Sequence, residues 1–263
     1  MRIALISDIH GNLEALQTVL ADIDRRIDVK AGDRIWCLGD IIGYGPNPVE
    51  CVELVAQRCD WSLLGNHDYA ALYEPTNFNR AAEQAAYWTR EQFEAETQRD
   101  QGRGSRLWEF LGKLRVRVKE GPFLAVHGSP RKPINEYIFP EDGHKAQRMQ
   151  PIFDRFEWIC LVGHTHVPGV FTADDFLSPE SPDHMKERTF QFRAGEKVIV
   201  NPGSVGQPRD TIPLASYAIM DVADQPTSVS FVRIPYDIDA VKAKIFSIEK
   251  LDNWLGERLT QGR

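Results

Sequence analysis

Apolar run after apolar run in this chain stops at an aspartate, an asparagine or a histidine. Residues 2–7, RIALIS, read as a buried strand and give way to Asp8-Ile9-His10. Residues 34–38, RIWCL, end at Gly39-Asp40, and the run 61–64 ends at Gly65-Asn66-His67-Asp68. Further on, FLAV ends at His127-Gly128, and the strand predicted over 158–162 ends at Gly163-His164-Thr165-His166. Between the early runs lie helical patterns: Leu13, Leu16, Val19, Leu20 and Ile23 form a stripe within 11–26, and Pro48 can open a helix near 48–57. Strand, polar break and helix in repetition point to an α/β sheet, and such sheets collect their sites at the carboxyl ends of the strands.

The middle of the chain predicts a long surface helix over 79–100, a glycine break at 102–104 and a shorter helix over 105–113. Two strands follow within 114–127 around the turn Glu120-Gly121-Pro122, then a helix near 141–155. After Gly169 short β-rich runs take over, at 169–173, 188–193, 197–201, 214–222 and 227–234, and the acidic stretch 174–187 reads as an exposed loop. A helix near 237–260 is expected to close the chain. Helices between strands early and meandering strands late predict two packed sheets with helices outside. One domain over 1–263 is expected, with 74–113 either a lid over the site or an outer helix pair.

The formal charge of -7 argues against a generic electrostatic grip on nucleic acid or an anionic membrane, so an anionic substrate needs positive charge from elsewhere. Cys37, Cys51, Cys59 and Cys160 are scattered without C-x-x-C spacing, which fits a reducing cytoplasm better than a disulfide framework. Asp8 interrupts the N-terminal apolar stretch before a signal-peptide core forms, and no later stretch has the apolar length of a membrane helix.

The residues at the strand ends are metal-ligand types, and five of the seven histidines are among them. Only His144 and His184 fall elsewhere, in segments expected at the surface. Each short motif alone is weak evidence, but neighbouring strand ends converge in space. Residues i and i+2 of an extended chain point to one side, so His164 and His166 can share an ion; spacing alone does not say whether they do.

The pattern Asp8-Ile9-His10, Gly39-Asp40, Gly65-Asn66-His67-Asp68, His127 and Gly163-His164-Thr165-His166 resembles that of the calcineurin-like metallophosphoesterase superfamily. The segment Asn201-Pro202-Gly203-Ser204 is similar to one in the small bacterial branch related to the YfcE-type phosphodiesterases. The resemblance implies a four-layer α-β-β-α sandwich with two mixed sheets. It implies Asp8, His10, Asp40 and His166 on one metal ion and Asp40, Asn66, His127 and His164 on the other, with Asp40 bridging. His67 would face the leaving-group oxygen, and Asp68 would orient His67.

Imidazole, carboxylate and amide donors suit Mn, Fe, Zn or Ni, and two such ions can activate a bridging hydroxide while holding the phosphoryl oxygens. They would leave net positive charge facing a phosphate, which the protein's own charge does not supply. The expected substrate is a small phosphodiester, a nucleotide or a dinucleoside polyphosphate. Asn12 is expected either to touch phosphate or to cap the helix at 13. Tyr44, Ser204 and Arg209 are further substrate-binding candidates, against the alternatives of an ordinary loop tyrosine and of an Asn-Pro-Gly-Ser turn that simply shapes the core, and Gly11 and Gly128 are expected to allow close backbone approach to the metals. The competing readings are a non-catalytic binding or scaffold protein on the same fold, a protein phosphatase and a nuclease. Retention of every ligand and of His67 disfavours the scaffold, and the acidic balance disfavours the nuclease.

Overall fold

The computed structural model describes residues 1–181, 183–193, 195–222 and 226–263. Its first sheet begins with three parallel strands, Arg2–Ile6 (β1), Arg34–Cys37 (β2) and Trp61–Ser62 (β3). The second sheet takes Arg117–Glu120 (β4), Phe123–Val126 (β5), Ile159–Leu161 (β6), Gly169–Phe171 (β7), Phe176–Leu177 (β8) and Val198–Asn201 (β10). Arg188–Gln191 (β9), Ala215–Val222 (β11) and Pro226–Ile234 (β12) complete the first. The strand orders are β3-β2-β1-β11-β12-β9 and β4-β5-β6-β10-β7-β8.

The central strands of both sheets are covered on both faces, which is why they read as continuous apolar runs rather than alternating ones, while the strands β4 and β9 at the edges are partly exposed. The pleat sorts them: Ile3 and Leu5 of β1, Phe123 and Ala125 of β5, and Val198 and Val200 of β10 fill the space between the sheets. Ala4 and Ile6 of β1 face the opposite way, toward Leu13–Arg26 (α1) and Pro48–Arg58 (α2). Leu124, Cys160 and Ile199 pack outward against Ala146–Phe153 (α6). Burying each such aliphatic side chain contributes about 1.5–3 kcal/mol. The result is the expected α-β-β-α layering.

Several local expectations need correction. The GNHD segment, to which the sequence assigned no element, opens the helix Asn66–Leu72 (α3). The glycines at 102–104 do not break the chain: Arg80–Arg99 (α4) and Gln101–Gly112 (α5) meet at Asp100, which caps α5 through the N–H of Arg103. Gly104 is there for contact, since a Cβ on it would stand 2.2 Å from Thr97 Oγ1 of α4. The closing helix is split into Ile238–Ser247 (α7) and Trp254–Glu257 (α8), because Asp252 accepts from Trp254 N–H and restarts the chain after Leu251. Within 174–187, β8 adds an edge strand that the acidic composition hid, and Pro182 of that stretch lies outside the described residues. No helix among the described residues is long and apolar enough to cross a membrane.

Candidate metal centre

Five strands deliver their last residues to one place. Asp8 and His10 follow β1, Asp40 follows β2, Asn66 and His67 open α3 after β3, His127 follows β5, and His164 and His166 follow β6. All eight side chains are buried, none more than 8 % exposed. His144 and His184 are exposed, as their segments suggested.

The backbone there is strained. Asp8, His10, Asp40, His164 and His166 adopt φ between 51° and 67°, a left-handed region that costs a residue with a Cβ about 1–3 kcal/mol. The surrounding loops hold it in place. Asp40 O accepts from the N–H groups of Ile9 (2.8 Å) and His10 (3.0 Å), and Gly163 N–H donates to His127 O (2.8 Å). Asn201 Nδ2 donates to Gly163 O and Thr165 Oγ1, both at 2.8 Å, so the Asn-Pro-Gly-Ser segment locks the loop that carries His164 and His166. Ser204 Oγ donates to Asp8 O (2.8 Å) and accepts from Gln207 N–H. Its hydroxyl is spent on structure, which removes Ser204 from the substrate-binding candidates.

Three imidazoles are anchored alike. Nδ1 of His10 faces Ile42 O (3.2 Å), that of His127 faces Leu38 O (2.8 Å) and that of His166 faces Gln207 O (2.5 Å), so each ring turns Nε2 inward, with a free lone pair on His10 and His166 only, since His127 holds a proton. Nε2 of His10 and Nε2 of His166 then stand 3.1 Å apart. Two lone pairs that close are repulsive unless a cation lies between them. Nitrogens each about 2.0–2.1 Å from one ion stand about 3–3.4 Å apart, so the spacing fits shared coordination.

The carboxylates are divided between tasks. Asp8 Oδ2 accepts from Ser7 Oγ (2.6 Å) and His164 N–H (3.1 Å), leaving Oδ1 3.2 Å from His166 Nε2. Asp40 Oδ1 accepts from His67 N–H (2.8 Å), and its Oδ2 lies 3.7 Å from His10 Nε2 and 3.3 Å from His127 Nε2. Two groups result, each with its ligand atoms within 4.8 Å of one another: Asp8, His10, Asp40 and His166, and Asp40, His127 and His164. Asp40 belongs to both. Asn66 Oδ1, His127 Nε2 and His164 Nε2 are buried without a hydrogen-bond partner, an arrangement folded proteins avoid unless an ion or water completes it.

Charge argues the same way. Burial pushes His164 down to about 3 and His67 down to about 4, and it also lowers His10 and His166, so these rings are neutral. For His127 burial is outweighed by Asp40 and Asp8, which hold it up at about 9. Burial opposes ionisation of Asp8 and Asp40 too, but both carboxyls lie below the usual carboxylate range, with the imidazolium of His127 facing each of them. Two buried carboxylates against one imidazolium leave negative charge that a bound cation would neutralise. The residues present therefore fit a metal site with nitrogen and oxygen donors.

Other expected roles change. Asp68 does not touch the His67 ring, whose Nδ1 has no partner. Its carboxylate accepts from the N–H groups of Asp40 (2.9 Å), Gly65 (3.0 Å), Ile41 (3.0 Å) and Ile42 (3.3 Å), so it positions the loop carrying Asp40. Burial and the charge of Asp40 push this carboxyl up to about 7. Asn12 resolves to the cap: Oδ1 accepts from Ala15 N–H and Nδ2 donates to Gly206 O. Gly11 and Gly128 admit other loops rather than metal, since a Cβ on them would meet Gly45 O and the 132–136 backbone, respectively.

Tyr44 does reach the site, its ring 4.9 Å from that of His10 and 4.3 Å from that of His67. Arg209, half-buried, lies close enough to oppose protonation of His67 and His166. Two neighbours lie outside every motif: Phe78 packs on His67 at 4.6 Å, and Tyr137 stacks on His164 at 3.7 Å and 19°. Both come from loops without periodicity, where no sequence signal marks them. A cavity of about 300 Å³ opens from this wall of the cluster. A larger one, about 640 Å³, lies across the second sheet at Arg117 and Lys197 and touches no ligand residue.

Residues 1–225 match the family model of the calcineurin-like phosphoesterase superfamily domain. An uncharacterised protein of Methanocaldococcus jannaschii is 39% identical over 99% of this chain and 98% of its own length. The crystal structure of a metallophosphoesterase from Sphaerobacter thermophilus superimposes with a TM-score of 0.81 at 38% identity, covering 100% of this chain and 99% of that one. A symmetrical bis(5'-nucleosyl)-tetraphosphatase of Erwinia tasmaniensis is 35% identical over 66 residues, 24% of this chain and 23% of that protein. The strand-end cluster, the layered fold and these similarities have one reading: the chain belongs to the calcineurin-like phosphoesterase superfamily and is a metal-dependent phosphoric ester hydrolase.

Proposed function

We propose that the protein hydrolyses a small phosphodiester or nucleotide at a two-metal centre, with dinucleoside polyphosphates as the next substrate class. In this reading Asp8, His10, Asp40 and His166 hold one ion, Asp40, Asn66, His127 and His164 hold the other, and 1–263 is a single domain. The observation that carries it is Asp40, one of whose oxygens faces the ligand nitrogens of both groups while the other is tied to His67 N–H. Mn, Fe, Zn and Ni all suit the donors. When bound, two such ions lower the pKa of a water between them and hold the phosphoryl oxygens.

The chain's own residues do the rest. The carbonyls of Leu38, Ile42 and Gln207 keep the ligand rings aimed inward, and Asp68 holds the Asp40 loop. His67 lies where the cluster meets the cavity; its neutral ring still carries one N–H to donate to a leaving oxygen. Arg209 adds positive charge on the solvent side. Helices α4 and α5 act as an outer pair rather than a lid, since Phe93, Leu107 and Leu111 are buried in the core cluster. The relative of Erwinia tasmaniensis supports a nucleotide substrate. The test is a panel of aryl phosphomonoesters, aryl phosphodiesters and dinucleoside polyphosphates assayed with Mn²⁺ between about pH 6 and 9. Turnover of a diester or nucleotide is expected; no turnover of any of them by metal-loaded protein would sink the reading.

A further inference from the structure

The cavity beside the cluster differs in chemistry from the cluster itself. Its inner wall is Asn66, His67 and His164, and its outer wall comes from the loop before α4 and from the loop after β5. Among the described residues no Lys, Arg, Asp or Glu lines it. What lines it is aromatic and amide: the rings of Tyr44, Phe78 and Tyr137, and the side chains of Asn77, Asn79 and Asn135. With Asn66 included, four of the chain's eight asparagines border this one cavity, which makes a chance polar rim a poor account of it. Asn79 Oδ1 is occupied in capping α4, while the exposed amides of Asn77 and Asn135 make no hydrogen bond among the described residues. Asn77 is also held at φ 64°.

Arg209, beside Tyr44 and Tyr137, can meet the scissile phosphate, but no cation among the lining residues is left for a further one, and a purely apolar group would leave the amides without protein partners. A planar heterocycle satisfies both, because aromatic faces stack on it and amide donors and acceptors meet the polar atoms of its edge. We propose that this cavity is the base subsite of the enzyme: it takes a nucleobase against the face of Phe78 and the edge of Tyr137, whose ring is already stacked on His164 and Phe139, and Asn77 and Asn135 read the base edge. The proposal rests on the phosphodiester and nucleotide reading above and narrows it to substrates carrying a nucleoside on the His67 side of the scissile phosphate.

The experiment compares the methyl ester of adenosine 5'-phosphate with the methyl ester of ribose 5-phosphate, which differ only in the base. In the Mn²⁺-loaded enzyme the base is expected to raise kcat/KM about 10- to 100-fold, the range that base stacking supplies. Phe78→Leu and Asn135→Ala should each shrink that ratio, mainly through KM. Binding of adenosine against ribose is measured by calorimetry on chelator-stripped wild-type protein, where no catalysis is needed. Adenosine binding that ribose does not reproduce, weakened in Asn135→Ala, supports the subsite even if no phosphoester is turned over, in which case the hydrolytic reading alone fails. Equal kcat/KM for the two esters, with no preference for adenosine over ribose, overturns the subsite and leaves the phosphoesterase reading standing.

Discussion

Gly65→Ala isolates the geometry of Asp40 from its chemistry. Gly65 has ordinary extended dihedrals, φ -82° and ψ 173°, so alanine suffers no backbone penalty there. Space is the constraint: an added Cβ would stand 2.0 Å from Asp40 Oδ1 and 2.3 Å from Asp40 N. Real Cβ contacts stay above 3.0 Å, so the Asp40 carboxylate or the GNHD turn must yield by about 1 Å. That movement opposes the His67 N–H bond to Oδ1 and swings Oδ2 away from both ligand groups. Overpacking of this kind costs about 1–3 kcal/mol, and a 1 Å misplacement of a catalytic group costs about 100-fold in rate. Gly112→Ala is the control: a Cβ there meets nothing within 4 Å at the end of α5, so stability should hold or rise by up to about 1 kcal/mol. The assay is bound metal per chain, kcat with Mn²⁺, and Tm with and without chelator. A Gly65→Ala protein with full metal content and kcat within about threefold of wild type would show that the close packing of Gly65 on Asp40 does not matter.

Asp40→Asn should lose more activity than His166→Ala, because Asp40 faces both ligand groups and His166 only one; equal losses with two metals retained in His166→Ala would contradict this. Asp68→Asn sets an NH₂ against backbone N–H groups of Asp40, Gly65, Ile41 or Ile42 and should cost about 1–3 kcal/mol in chelator-stripped protein, read as a fall in Tm. An unchanged Tm would return Asp68 to a role at His67. Metal affinity should rise with pH up to about 9, since metal must displace the proton that Asp40 and Asp8 keep on His127 against burial. The sign follows from a folded pKa raised above 6.5: in metal-free protein the stabilisation is complete below about 6.5 and is lost as pH rises through about 9. Calorimetric titration with Mn²⁺ in buffers of different protonation enthalpy measures the released proton, and pH-independent affinity between 7 and 9 would refute the assignment.

How much could be read from residues alone depended on what each signal reports. Apolar runs report burial, so β1, β2, β5, β6 and β10 were legible, as was the amphipathic α1. Polar composition hid β8 at the edge, and the glycines before 105 read as a break because their use is close packing of α5 on α4. Asp252 looked like one more surface acid in the closing helix. Helix α7 ends at Ser247, and Asp252 accepts from Trp254 N–H at the start of α8, a local bond that periodicity does not register.

The site followed a different logic. Ligand residues were legible because strand ends converge, whereas the residues that hold them act through backbone groups that every residue carries. Leu38, Ile42 and Gln207 aim three imidazoles with nothing more than carbonyl oxygens, so no side-chain pattern announces them. The motifs suggested that Asp68 orients His67 and left Ser204 between substrate and core, yet each spends its oxygens on the chain next to a ligand. The left-handed backbone explains why that support is needed. Glycine would relieve the strain at positions 8, 10, 40, 164 and 166, but glycine has no donor atom, so aspartate and histidine must be forced into its conformation. Asn201, Ser204 and Asp68 each cross-link a strained loop to a neighbour, and the Asn-Pro-Gly-Ser segment thus supports the ligand loops from 35 or more positions downstream.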